Sequence, residues 1–207
     1  MDGDEAIAIV GVGCRYPGAD NLKDFWELLR NGEDHITDIP KNRWNNQAFY
    51  DEDPDAKGKS YVKKAAFIED INGFDNKFFG ISAAEAKAMD PQQKLVLECS
   101  HMAFEDGGFT QQYLDGSNTG VYMGVMTDDH RGMQLDALED MVTYTATGMT
   151  SSIISNRVSY TYNLQGPSLS LDAACSSGLV AIHLASLALR QGDIELAVCG
   201  GVNLLPL

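Results

Sequence analysis

The stretch SLSLDAACSSGLVAIHLASLAL (Ser168 to Leu189) passes from alternating residues into a long apolar block, and Cys175 stands at the joint. A thiol at such a joint can do acyl-transfer chemistry. A strand that gives way to a helix can lift one side chain to the exposed end of a sheet. The first helical turn has free N–H groups and the positive end of the helix dipole, and both favour a thiolate. Ser176, Ser177 and Gly178 are small, leaving room for a substrate carbonyl beside N–H groups that can stabilise an oxyanion. A small buried cysteine, the ordinary state of a free thiol, also fits this position, and on spacing alone it is the simpler account.

A catalytic thiol needs a base, and the four histidines offer none by spacing. His183 lies eight residues further along the same helix. That is more than two turns, or about 12 Å, so it cannot contact the thiol. His35, His101 and His130 fall in loops or on another helix, where surface or core-satisfied histidines are the ordinary reading. The other cysteines read as small buried residues: Cys14 beside a glycine turn, Cys99 on an apolar helix face, Cys199 inside an apolar strand. No CxxC pair or zinc-ligand spacing occurs, so neither a metal site nor disulfides are expected.

The elements that must position Cys175 are legible as an alternation of strands and helices. Ala6 to Val12, AIAIVGV, reads as a strand buried on both faces. GVGCRYPG follows, with Tyr16 where a dinucleotide fingerprint needs its third glycine, so a Rossmann site is not supported. Leu22, Phe25, Trp26 and Leu29 recur at helical spacing up to a stop at Gly32. Glu33 to about Gly80 is rich in Asp, Asn, Pro and Gly and reads as an excursion with short elements. Ser82 with Glu85 makes a capping-box pattern, and Asp90-Pro91 opens a helix carrying Leu95, Cys99, Met102 and Ala103 on one face. TGVYMGV reads as a buried strand, TSSIISNRVSYTY as a helix, SLSLDA as a strand, and ELAVCGGV as another. The helix after Cys175 is apolar on most sides, as for a helix in the middle of a large core. The whole points to an α/β fold with a covered sheet, and no linker marks a domain boundary.

Composition narrows the partners. The 207 residues suffice for one sizeable core and are few for two independent domains. Fifteen Lys and Arg stand against 30 Asp and Glu, a net charge of −15, which argues against a nucleic-acid or anionic-membrane surface. The one basic cluster, Lys57, Lys59, Lys63 and Lys64, follows the acidic DEDPD and reads as a solvated, mobile loop. No signal-peptide pattern or membrane-length apolar run occurs, so a reduced cytoplasmic setting is the default.

LDAACSSGLVAIHLA resembles the active-site segment of the β-ketoacyl synthase (ketosynthase) domains of modular polyketide and animal-type fatty acid synthases. So do AIVGVGCRYPGADNLKDFWELLRNGEDHI, FDNKFFGISAAEAKAMDPQQKLVLE, SNRVSYTYNLQGPSLSLD and LAVCGGVNL, in the family's order and covering the chain from Glu5 onward. The resemblance implies the first half of a thiolase-like α-β-α-β-α fold, with a mixed sheet covered by helices on both faces. It implies decarboxylative Claisen condensation: Cys175 accepts an acyl chain, and a malonyl-type unit then loses carbon dioxide and attacks the thioester. The substrates would be carried on the phosphopantetheine of an acyl carrier protein, with no cofactor bound by the domain itself.

The resemblance also accounts for the missing base, because the family's two histidines come from motifs of a second half. On this reading residues 5–207 are the N-terminal half of the domain, lacking the second half, a second oxyanion donor and a final strand of the first sheet. The family further implies a homodimer through the strand Leu169 to Ala173, with the helix around Met149 to Tyr160 near the same interface. Three positions depart from the usual pattern: Ala173 for a threonine, Gly178 for a serine, and Ala83 for a proline. The first two lie close enough to Cys175 to alter packing around an acyl chain. Retention of Cys175 separates the chain from cysteine-less relatives, and DPQQK and GCRYPG separate it from degradative thiolases. A non-catalytic interaction or folding half of a split or truncated synthase is the alternative.

Overall fold

The computed structural model describes residues 6–136, 139 and 141–204. They fall into two compact units, Arg15–Asp70 and the remainder, a division that no linker in the sequence announces.

In the unit Arg15–Asp70, helix α1 (Leu22–Asn31) starts where the Asn21 side chain accepts from the Asp24 N–H. It ends at Gly32, whose left-handed φ of 65° lets its N–H reach the carbonyls of Leu28 and Leu29. Strands β1 (Ile36–Asp38) and β2 (Lys64–Ala66) form an antiparallel ribbon around the short helix α2 (Asn46–Phe49). The lysine-bearing stretch is not a free loop. Lys59 donates to the Ala48 carbonyl at 2.7 Å, and the Lys63 ammonium lies 4.1 Å from the centre of the Tyr50 ring.

The larger unit contains α3 (Ala83–Ala88), α4 (Pro91–Asp106), α5 (Gln111–Leu114), β3 (Thr119–Val125), α6 (Asp129–Asp136), α7 (Thr145–Gly148), α8 (Ser152–Tyr162), β4 (Ser168–Leu171), α9 (Ser177–Gln191) and β5 (Leu196–Val202). Its sheet has the order β4-β3-β5, with both pairings parallel. The central strand β3 is buried along its whole length, which explains its uninterrupted apolar sequence. Alternation along β3 divides the core. Val121, Met123 and Val125 join Leu97 and Phe104 of α4 and Ile154, Val158 and Tyr162 of α8. Tyr122 faces the other way, into a smaller cluster with Ala181, Ala185 and Ala188 of α9 and Ile194.

Two expectations are corrected. Ala6–Val12 pairs with no strand among the described residues, and Ile9 is 86% exposed. A two-faced strand needs backbone partners on its flanks as well as apolar side chains. This stretch instead presses its glycines onto α4: a Cβ on Gly11 would lie 2.2 Å from the Ala103 carbonyl oxygen, and one on Gly13 2.1 Å from that of Cys99. That contact covers the Cys99, Met102 and Ala103 side of α4, while Gln93, Leu97, Ser100 and Phe104 point to the core.

Helix α9 is the second correction. Its buried stripe is made of small residues, Ser177, Ala181, Ala185 and Ala188, which let it lie close on the sheet. Leu179, Ile182 and Leu187 are exposed, Leu179 to 73%. The helix is apolar all round and yet buried on one side only.

Candidate active site at the start of helix α9

Strand β4 carries the chain to the carboxyl end of the parallel sheet, and α9 leaves from there. The ends of parallel strands are where α/β folds place their ligands. Between the two elements, Asp172 to Ser176 form a turn in which every small residue has a task. Ala174 adopts φ 53°, a left-handed conformation that costs an alanine about 1–2 kcal/mol. Hydrogen bonds hold it there. The Ala174 N–H donates to Asp172 Oδ1 at 2.8 Å, and the Ser177 hydroxyl donates to the Ala174 carbonyl at 2.7 Å. The same Ser177 oxygen accepts the Ala173 N–H at 2.8 Å. Ser176 Oγ donates to the Ala173 carbonyl at 2.7 Å, so it turns away from the helix it precedes.

The turn therefore uses the N–H groups of Ala173, Ala174, Ser176 and Ser177 and leaves that of Cys175 outside the set. The start of α9 has no side-chain cap. An uncapped first turn beside an exposed thiol is an environment that stabilises negative charge. Gly124, at the end of β3, is required for this arrangement. A Cβ there would lie 2.7 Å from both the carbonyl carbon and the Cβ of Ser177. The absence of that Cβ lets α9 begin directly against the central strand.

The other side of β4 is braced by α8. The Ser170 hydroxyl donates to Ser155 Oγ at 3.0 Å and accepts the Ser155 N–H at 3.3 Å. Arg157, almost wholly buried two residues further on, donates to Gln93 Oε1 at 2.9 Å and to Glu85 Oε1 at 2.7 Å. Gln93 in turn donates to the carbonyls of Thr147 and Gly148. Glu85, expected to complete a capping box, serves Arg157, while its N–H still takes the Ser82 hydroxyl as cap. At the carboxyl end of the sheet, Thr127 after β3 donates to Asn203 after β5 at 2.8 Å.

The four cysteines separate by position. Cys175 and Cys199 are exposed, and Cys14 and Cys99 are half-buried. Cys199 was expected to be buried within its strand; as part of an edge strand it keeps one flank open. Even so, surrounding atoms desolvate its thiol enough to push it above the usual thiol range, and burial does the same for Cys14.

The histidines are occupied elsewhere. His101 Nδ1 lies 3.0 Å from the Tyr162 hydroxyl, His130 Nε2 lies 3.2 Å from the Ala88 carbonyl, and His35 Nε2 lies 3.1 Å from Glu33. His183 is exposed on α9. None of these bonds reaches Cys175. No group of side chains able to hold a metal ion occurs among the described residues. A separate cavity of about 410 Å³ is lined by residues that include Phe79, His101, Phe109 and Tyr162, none from the Cys175 turn.

Sequence reasoning placed Cys175 at the strand-to-helix joint and missed what holds it there. Ala174 gives no signal of a left-handed residue. Ser177 was read only as small, although an Asp followed by small residues and two serines is a pattern that builds such turns.

A parallel sheet whose crossover from β4 through α9 to β5 opens at a thiol-bearing turn defines an α/β protein with a candidate nucleophile at the end of a strand. The family model described as Beta-ketoacyl synthase, N-terminal domain, matches residues 4–206, and the chain belongs to that family. It is 46% identical over 208 residues to polyketide synthase PksL of Bacillus subtilis, covering 96% of this chain and 4% of the relative. It is 45% identical over 203 residues to the pikromycin polyketide synthase component PikAII of Streptomyces venezuelae, covering 97% and 5%.

Among solved structures, the oxazolomycin ketosynthase domain OzmH KS7 of Streptomyces albus JA3453 superposes with a TM-score of 0.88 at 42% identity, covering 95% of this chain and 34% of that one. The ketosynthase from module 6 of the bacillaene synthase of Bacillus subtilis 168 gives 0.82 at 37% identity, covering 95% and 31%. The chain thus spans about a third of those solved chains and a small fraction of the curated synthases. The fold is that of ketosynthase, thiolase-like domains, which are condensing enzymes. No helix among the described residues is long and apolar enough to cross a membrane.

Proposed function

We propose that this chain supplies the acyl-accepting part of a ketosynthase in a polyketide synthase, with Cys175 as the nucleophile. The Cys175 thiolate attacks the carbonyl carbon of an acyl thioester borne on the phosphopantetheine of an acyl carrier protein. The sulfur–carbon bond to the carrier breaks, and the carrier thiolate leaves and takes up a proton. A malonyl-type thioester on a carrier protein then loses carbon dioxide. The electron pair left on its α-carbon attacks the Cys175 thioester, forms the carbon–carbon bond and releases the Cys175 thiolate. Dividing the reaction in this way replaces one difficult step by two.

The observation that carries this reading is the exposed thiol of Cys175 on a turn held by the Asp172 and Ser177 side chains, next to an uncapped helix start at the carboxyl end of a parallel sheet. Likeness to polyketide synthases favours a polyketide product over a fatty acid. No histidine here bonds to Cys175, so the base and the group that stabilises the enolate come from chain outside these residues. The outward leucines of α9 support the same view, since an apolar helix face of this kind is covered in a complete domain. The open edge of β4, with Leu169 and Tyr160 exposed, supports a homodimer in which β4 pairs with its copy.

The test is to give acyl and malonyl carrier-protein thioesters to a complete ketosynthase that contains these residues (the full-length protein), to its Cys175→Ala variant, and to residues 1–207 alone. Condensation by the first only is expected. Turnover by residues 1–207 that Cys175→Ala abolishes would show that no outside histidine is needed. Unimpaired condensation by full-length Cys175→Ala would refute the nucleophile.

A further inference from the structure

We propose that Ser177 is the positioning residue for Cys175, its hydroxyl bridging the Ala173 N–H and the Ala174 carbonyl to hold the left-handed Ala174 and so fix the direction of the thiol. The inference rests on the assignment of Cys175 as nucleophile and concerns how that group is aimed.

The geometry leaves Ser177 little other purpose. It sits at the first position of α9 with 5% of its surface exposed, too enclosed for its oxygen to serve a bulky substrate. Its oxygen has two partners, and they lie on the two residues that precede Cys175. One bond receives a donor and the other gives one, so a single hydroxyl satisfies both sides of the bend; a methyl cannot, and a thiol does so only weakly. Ala174 is the residue that needs holding, because alanine has no intrinsic reason to take φ 53°. If Ala174 relaxed to a right-handed or extended conformation, the chain would leave β4 in another direction. The Cys175 side chain and N–H would then rotate away from the start of α9.

Ser177 is itself held in place. Gly124 leaves no room for it to move toward the central strand, and Gly201 of β5 approaches the neighbouring Gly178 Cα to 3.4 Å from where its own Cβ would stand. Two glycines, one from each of two adjacent strands, thus locate the helix start, and the Ser177 hydroxyl passes that location to the turn. Asp172 supplies a third bond, to the Ala174 N–H, which lies on the far side of the same residue.

The test uses the full-length protein and three variants, Ser177→Ala, Ala174→Gly and the double variant. Two readouts are taken: the rate at which limiting iodoacetamide alkylates Cys175, mapped by peptide mass, and the rate of acyl transfer from an acyl carrier-protein thioester. Loss of two hydrogen bonds worth about 1 kcal/mol each should slow both by about tenfold or more in Ser177→Ala. Glycine adopts positive φ without cost, so adding Ala174→Gly should recover a substantial part of the lost rate. A purely structural role gives another pattern. The melting temperature would fall while the rates measured well below it would hold, and glycine at the left-handed position would restore stability without altering the rates.

Unchanged rates in Ser177→Ala, or no recovery in the double variant, would overturn the proposal. If instead the unaltered protein is not acylated on Cys175 at all, the nucleophile assignment fails, and Ser177 has no thiol to position.

Discussion

The two edge strands of the parallel sheet flank the same central strand, and each delivers a cysteine to the surface in a different way. Strand β4 pairs with β3 over four residues, Ser168 to Leu171, and then breaks into the turn that lifts Cys175 to the start of α9. Strand β5 stays paired over all seven of its residues, and Cys199 sits within it, opposite Tyr122. Both cysteines are exposed. Only Cys175 has an uncapped helix start beside it, whereas the surroundings of Cys199 desolvate the thiol and push it up. Exposure does not separate the two; the end of a strand and the start of a helix, which favour a thiolate, belong to Cys175 and not to Cys199.

The largest effect that separates the two strands is on chemistry. In the full-length protein, Cys175→Ala should reduce condensation to background, while Cys199→Ala should keep at least half of the rate, as read from carbon dioxide release with carrier-protein substrates. Equal loss in both would erase the distinction.

A smaller effect concerns the outer edge of β4. The Pro167 carbonyl accepts from the Val121 N–H of β3, so the Ser168 N–H points away from β3, to the open edge. Ser168→Pro removes that donor and should weaken self-association of the full-length protein by about tenfold, the equivalent of one or two backbone hydrogen bonds. Sedimentation over a concentration series checks this. A monomer before the change would contradict the dimer itself.

The third effect is on stability alone and lies behind β4, at the end of α8. Burial, reinforced by the charge of Glu105, pushes the Tyr162 phenol from 10.0 up to about 12. Below pH 10 the folded and unfolded chains both keep this proton, and the full stability is present. As pH rises from 10 toward 12 the unfolded phenol ionises first, and about 2–3 kcal/mol of stability should drain away. Tyr162→Phe should flatten that alkaline decline. At neutral pH it should cost about 1 kcal/mol, because His101 Nδ1 loses its partner while Nε2 keeps Glu105. Denaturant titrations at pH 8 to about 12 read both effects; an unchanged alkaline slope in Tyr162→Phe would show that another group controls it.

What could be read from the sequence follows the range of the interactions. The succession β3, α8, β4, α9, β5 was legible because alternation, helical spacing and apolar runs are local signals. The joint at Cys175 was legible for the same reason. Ala6–Val12 was not, because a strand is completed by distant backbone partners that its own residues cannot reveal. The split of α9 was hidden because alanine and leucine both count as apolar. The stripe Ala181, Ala185 and Ala188 packs on the sheet for its smallness, while Leu179 and Ile182 face out. The left-handed Ala174 was hidden because its conformation comes from Asp172 and Ser177, not from alanine.

The most direct test of Cys175 as acyl acceptor is to trap the acyl-enzyme. The full-length protein is mixed with an acyl carrier-protein thioester, without any malonyl unit, then quenched in acid and mapped by peptide mass. The acyl mass should appear on the peptide that contains Cys175, at close to one per chain, and vanish in Cys175→Ala. An acyl group on Cys14, Cys99 or Cys199 instead, or one that persists in Cys175→Ala, would contradict the account.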